Sequence, residues 1–198
     1  MYPKGRIEAL TDGLFGVAMT ILVLDVRLPE DFHPADQRAL AHALLALWPK
    51  FLPYALSFYV LGSTWLANVK LRSHGEFLDR RYASWWLFYL LLATCLPFST
   101  SVVGRFVHYG PALWLYTFNM AALAAVGYRL TVLLPELDDD KHTLDRKVSL
   151  LLLVGTSLLC VALSPIAQGR ALWVYLLNFG AAPLARWIDR KRHVSDRA

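Results

Sequence analysis

Long uncharged apolar runs dominate the chain. Phe51 to Val69, Tyr82 to Gly104, Phe106 to Tyr128 and Val148 to Gly169 carry no formal charge. Ala171 to Ala185 is shorter, but Trp187 and Ile188 extend it past Arg186. A helix needs roughly 20 mainly apolar residues to cross a bilayer core of about 30 Å, so each run is long enough to cross as a helix. The runs are continuous and do not alternate, which argues against barrel strands. The first segment, Ile7 to Leu28, differs: only Gly13 to Leu24 is free of charge. It reaches spanning length if its polar residues face protein or water instead of lipid. The pattern predicts an all-α membrane protein of one domain, residues 1–198, with six spans at 7–28, 51–69, 82–104, 106–128, 148–169 and 171–188.

Composition sharpens this reading. Of 198 residues, 57% are hydrophobic and 18% charged, with a mean hydropathy of +0.41. Soluble domains carry about 25% charged residues, so an ordinary soluble enzyme or a nucleic-acid-binding arm is excluded. The net charge of +5 therefore marks orientation. With the N-terminus placed in the cytosol, only Arg27, Arg38, Lys50, Arg105 and Arg170 of the 20 basic residues fall outside. This bias predicts a cell-membrane protein with both termini cytoplasmic. Aromatic residues near the span ends, Trp48, Tyr54, Tyr82, Trp85, Trp86, Tyr128, Trp173 and Trp187, fit interfacial belts.

The connecting segments carry their own signals. Between Pro34 and Trp48, Leu40, Leu44, Leu47 and Trp48 share a helical face, which predicts a short helix lying at the outer interface. Residues 135–147 are acidic and read as a solvated cytoplasmic loop, and the basic tail Arg190 to Arg192 as a contact with anionic lipid. Cys95 and Cys160 lie inside apolar runs and read as packing residues. The histidines fall in loops or near span ends without metal-ligand spacing, and no span offers a nucleophile with a base at depth. No enzyme, metal site or cofactor is expected.

The informative element is the first helix, RIEALTDGLFGVAMTILVLDVRLP from Arg6. Ionisable residues inside a span are costly and point to function. Val17, Ile21 and Leu24 recur at i, i+4 and i+7 and form one stripe, bordered by Thr20. Asp12 points about 140° away from Val17 at 100° per residue. Ala9 with Gly13, and Gly16 with Thr20, are small-xxx-small pairs that permit close helix approach. Periodicity alone leaves lipid, core and pore open as the destination of the stripe.

The opening residues Arg6, Ile7-Glu8-Ala9, then Leu10-Thr11-Asp12 resemble the signature of the endosomal and lysosomal potassium channel family (the transmembrane protein 175 family), in its small prokaryotic branch. That signature is Arg, three variable residues, then Phe-Ser-Asp. Leu10 stands for Phe and Thr11 for Ser. The run Gly13 to Leu28, Ser57-Phe58 with Trp65, and Leu96-Pro97-Phe98-Ser99-Thr100 also look like the family. Family members often follow that Trp with paired histidines, where Asn68 and Val69 stand here.

The resemblance implies a potassium-selective channel, a homotetramer with four first helices lining a central pore. Its constriction would be Val17, Ile21 and Leu24, with Thr20 beside the pore. Arg6, Leu10, Thr11, Asp12, Trp65 and Asn68 would form a network that fixes the first helix. The partners implied are further copies of the chain, the bilayer and potassium as permeant ion; nucleic acid is not among them. Asp25, Glu30 and Asp31 near the outer mouth are expected to raise the local cation concentration. The alternatives are a small secondary or proton-coupled transporter using Asp12 or Asp25, and a non-transporting membrane scaffold. The absence of an internal repeat in the sequence counts against a carrier.

Overall fold

The computed structural model describes residues 2–70, 77–133 and 141–180. A two-residue strand β1 (Tyr2–Pro3) leads into helix α1 (Lys4–Leu22), which ends in a 3-10 turn, Val23–Asp25. A short helix α2 (Gln37–Leu45) precedes α3 (Trp48–Lys70). Strand β2 (Phe77–Leu78) pairs antiparallel with β1, Tyr2 opposite Leu78 and Pro3 opposite Phe77. Helices α4 (Arg80–Arg105), α5 (Gly110–Val132) and α6 (Lys141–Ala167) follow, and a 3-10 segment (Gln168–Gly180) closes the described part.

Five helices thus overlap five of the spans expected from hydropathy. Among the described residues, Lys4–Asp25, Arg80–Arg105 and Thr143–Ala167 are long and apolar enough to cross a membrane. The pair α2 and α3, bent by 45°, counts as a fourth if it is one broken span. Of the sixth expected span, residues 171–180 are a 3-10 helix, and 181–188 lie outside the described residues. The acidic stretch 135–140 and the basic tail 190–192 also lie outside them.

Local chemistry accounts for the boundaries. The short helix between Pro34 and Trp48 forms as α2, where Asp36 caps the N-terminus by accepting from the Ala39 amide at 2.6 Å. Leu40, Leu44 and Trp48 stay exposed on the chain. Asp79 caps α4 in the same way through the Arg81 amide at 3.3 Å. Three helices contain an interior proline: Pro53, Pro97 and Pro165. A proline removes the donor to the carbonyl four residues back. For Pro165 that carbonyl is Val161, and Ser164 Oγ donates to it at 2.8 Å. Trp114 Nε1 donates in turn to Ser164 Oγ at 3.0 Å.

α5 packs between α4 and α6, the closing 3-10 segment packs on α6, and α1 lies against α4 and α3. At Gly127 on α5 a Cβ would come within 3.2 Å of Leu150 Cδ2, so glycine sets the closeness of α5 and α6. The core holds Phe15, Leu61, Tyr89, Leu96, Tyr116, Leu123 and Tyr175. Its polar groups bond to one another: Ser57 Oγ lies 2.7 Å from Thr100 Oγ1 and 3.1 Å from the Tyr116 hydroxyl. Tyr175 donates to Ser157 Oγ at 2.9 Å. Cys160 is buried and Cys95 exposed, and both are free thiols.

Candidate pore helix and its supports

α1 has two sharply different sides. Thr11, Phe15, Ala18 and Leu22 are buried, spaced four, three and four apart, so they form one helical face. Phe15 stacks on Tyr89 with ring centroids 6.4 Å apart. On the other side Leu10, Val17, Ile21 and Leu24 remain 46%, 55%, 45% and 66% exposed. Nothing in the described chain covers them. Gly13 and Gly16 share this openness, since a Cβ added to either would meet nothing within 4 Å. Their small size is therefore not demanded by packing inside the chain. Thr20 is exposed beside the stripe, and its hydroxyl turns back to the Gly16 and Val17 carbonyls at 3.0 and 2.8 Å.

The first turns of α1 are held by two indoles. Trp65 Nε1 on α3 donates to Asp12 Oδ1 at 2.8 Å. Trp86 Nε1 on α4 donates to Thr11 Oγ1 at 2.8 Å, and Thr11 passes its own proton to the Ile7 carbonyl at 2.7 Å. Of the residues singled out in the sequence, the structure thus brings Thr11, Asp12 and Trp65 into bonds that fix α1. Leu10 lies on the exposed face, one heptad before Val17. Arg6 is exposed on the first turn. Asn68 lies on α3 with its amide nitrogen buried and without a hydrogen-bond partner among the described residues.

Trp86 is the supporting residue that sequence reasoning missed. It is buried, stacked between Tyr82 and Tyr89 at 6.0 and 5.5 Å. Its position near the start of an apolar run reads as an interfacial anchor. Only the packing of α1 on α4 reveals the partner 75 positions away. Thr11→Val, which keeps the shape and removes the acceptor, leaves a buried indole N–H unsatisfied and should cost about 1–3 kcal/mol. Thermal unfolding in detergent checks this: the Val variant melts lower, and Thr11→Ser stays near the parent. Equal melting of all three would mean that the bond contributes nothing.

At the far end of α1 the acidic residues are drawn into ion pairs. Asp25 Oδ1 accepts from Arg105 at 2.7 Å, and Glu30 pairs with Arg27 at 3.1 Å. Two of the three carboxylates expected to concentrate cations are therefore neutralised by neighbours, and Asp31 is the third. Lys50 on α3 donates to the Arg27 carbonyl at 3.3 Å. Among the described residues no three of His, Cys, Asp and Glu gather as metal ligands would.

Residues 6–97 match the model of the family described as endosomal/lysosomal potassium channel TMEM175. The fold agrees over nearly the whole chain. It superposes on the crystal structure of a lysosomal potassium-selective channel TMEM175 homolog from Chamaesiphon minutus with a TM-score of 0.75 and 28% identity, covering 91% of this chain and 97% of that one. Over these residues and in its fold the chain is similar to the TMEM175 family. A potassium channel of Streptomyces collinus is 32% identical over 130 residues, which are 63% of this chain and 61% of that protein. A potassium channel of Chamaesiphon minutus is 32% identical over 103 residues, 52% of this chain and 50% of that protein. The matched stretches thus span between half and two thirds of those relatives. The human endosomal/lysosomal proton channel TMEM175 is 37% identical over 76 residues, 36% of this chain and 15% of that protein.

Proposed function

We propose that this chain is a subunit of a homotetrameric, potassium-permeable channel of the cell membrane, gated by hydrophobic collars of its first helix. Residues 1–198 act as one six-span unit with both termini cytoplasmic. Val17, Ile21 and Leu24 form the collars and Thr20 lies beside them. The observation that carries this reading is the bare face of α1. Only 22% of its apolar window is buried, against 39% for α4. That face carries the stripe together with two glycines that no neighbour in the chain needs, as close approach of like helices would require. The relatives named potassium channels and the fold shared with a potassium-selective channel point the same way.

The mechanism follows from the side chains. A narrow ring of aliphatic groups excludes water and so blocks ions, and small outward movements of the four helices wet it. Potassium sheds water more readily than sodium, so partial dehydration at the ring favours potassium. The Trp65–Asp12 and Trp86–Thr11 bonds hold α1 in register and do not touch the ion. The carboxylates a carrier would use are both engaged, Asp12 by Trp65 and Asp25 by Arg105.

Purified protein in liposomes tests the proposal. With outward gradients of potassium or sodium, potassium efflux is expected to exceed sodium efflux. Leu24→Ala should increase conductance, because it widens one collar. Protein that carries neither ion would refute the channel reading.

A further inference from the structure

The end of α1 meets α3 and α4 at a small, shallow cleft open to the surface. Lys50, Tyr54, Ser101 and Arg105 line it, with Asp25 and Leu22 from the α1 side. Its charges do not cancel. Asp25 takes one nitrogen of Arg105, and Arg27 nearby is paired with Glu30. Lys50 has only the Arg27 carbonyl at 3.3 Å and no carboxylate among the described residues. The cleft therefore holds a surplus cation beside a half-exposed guanidinium, of whose five donors only one is engaged by a carboxylate among the described residues. Such a pair suits a phosphate oxyanion, since bonds between charged groups are shorter and stronger than neutral ones.

A second feature leads away from the cleft. Trp48, Phe51, Tyr54 and Phe58 follow one another along α3, with successive ring centroids 5.8, 5.6 and 6.1 Å apart. Trp48, Phe51 and Phe58 are exposed on the chain. Tyr54 belongs to both features: its side chain lines the cleft and its ring continues the stripe. A small cleft that carries a surplus positive charge, joined to an exposed aromatic strip, matches an amphiphile with an anionic head and an apolar tail.

We propose that this cleft binds an anionic membrane phospholipid, its phosphate on Lys50 and Arg105 and an acyl chain along Trp48, Phe51 and Phe58. The site needs only that the chain sits in a bilayer, and stands apart from the pore reading. Bound there, the phosphate bridges α3 and α4 directly against the turn that ends α1.

The test uses the purified full chain in neutral detergent. Short-chain phosphatidylglycerol and inorganic phosphate are titrated separately while the unfolding temperature is followed. Phosphatidylglycerol is expected to raise it saturably, and inorganic phosphate at equal concentration to leave it unchanged. Loss of one charge-assisted bond in Lys50→Gln should raise the half-saturating lipid concentration about tenfold. Lys50→Arg should restore the response, and Arg81→Gln, exposed at the opposite end of α4, should behave as the parent. An unchanged response of Lys50→Gln overturns the proposal. Stabilisation by inorganic phosphate equal to that by lipid also overturns it, because the stripe would then contribute nothing.

Discussion

Sodium flux through liposomes carrying Ile21→Asn is expected to rise about tenfold or more over the parent protein, with selectivity for potassium falling in parallel. The argument rests on the openness of Ile21 in the chain, 45% exposed on a helix whose opposite face is packed. In the proposed tetramer the substitution places four amides at one level of the pore. Each can bond water, so the ring no longer has to be wetted against its own chemistry. Lowering the barrier by about 1.4 kcal/mol already gives a tenfold change, and four polar groups in place of four isoleucines supply at least that much. Because Ile21 makes no core contact, the variant should fold and elute like the parent. Unchanged sodium flux from well-folded Ile21→Asn would remove this residue from the ion path.

Phe15→Ala should destabilise the protein by about 3 kcal/mol, seen as a clearly lower unfolding temperature in detergent. Phe15 is 1% exposed, and its ring lies on Tyr89 of α4. Inside a bilayer-spanning bundle the gain from leaving water is reduced, but the lost dispersion contacts and the cavity remain. Phe15 is two residues from Val17 yet on the other side of the helix. The two positions thus separate packing from permeation: Phe15→Ala acts on stability, whereas Val17→Ala should leave the unfolding temperature nearly unchanged. If Phe15→Ala melted like the parent, the packed face of α1 would have been assigned wrongly.

The division of α1 into two faces was legible in the sequence because it follows from helical geometry. Val17, Ile21 and Leu24 fall on one stripe whatever surrounds the helix. The short helix before α3 was legible too, from Leu40, Leu44 and Trp48 at helical spacing. What the sequence concealed depends on contacts between distant positions. Thr11 gives no sign that it will accept from Trp86, and Asp25 none that it will find Arg105 80 positions away. Asp25 consequently reads as a free carboxylate in the sequence and is paired in the structure. The pairing of Tyr2–Pro3 with Phe77–Leu78 was equally hidden, because two residues are too few for any strand periodicity to appear. The family resemblance alone places Asn68 in the supporting network, and its amide nitrogen finds no partner among the described residues.

The two indole bonds to neighbouring residues of α1 have a mechanical consequence. Buried Trp86 and half-buried Trp65 grip the helix at Thr11 and Asp12, whereas its other end is fastened by an exposed ion pair of a kind worth only about 0–1 kcal/mol. The rod is therefore anchored like a lever with a firm fulcrum and a loosely latched tip. Leu24 sits roughly 20 Å beyond the fulcrum at 1.5 Å per residue. A swing of about 5° about Thr11 carries that side chain nearly 2 Å, while Asp12 scarcely shifts.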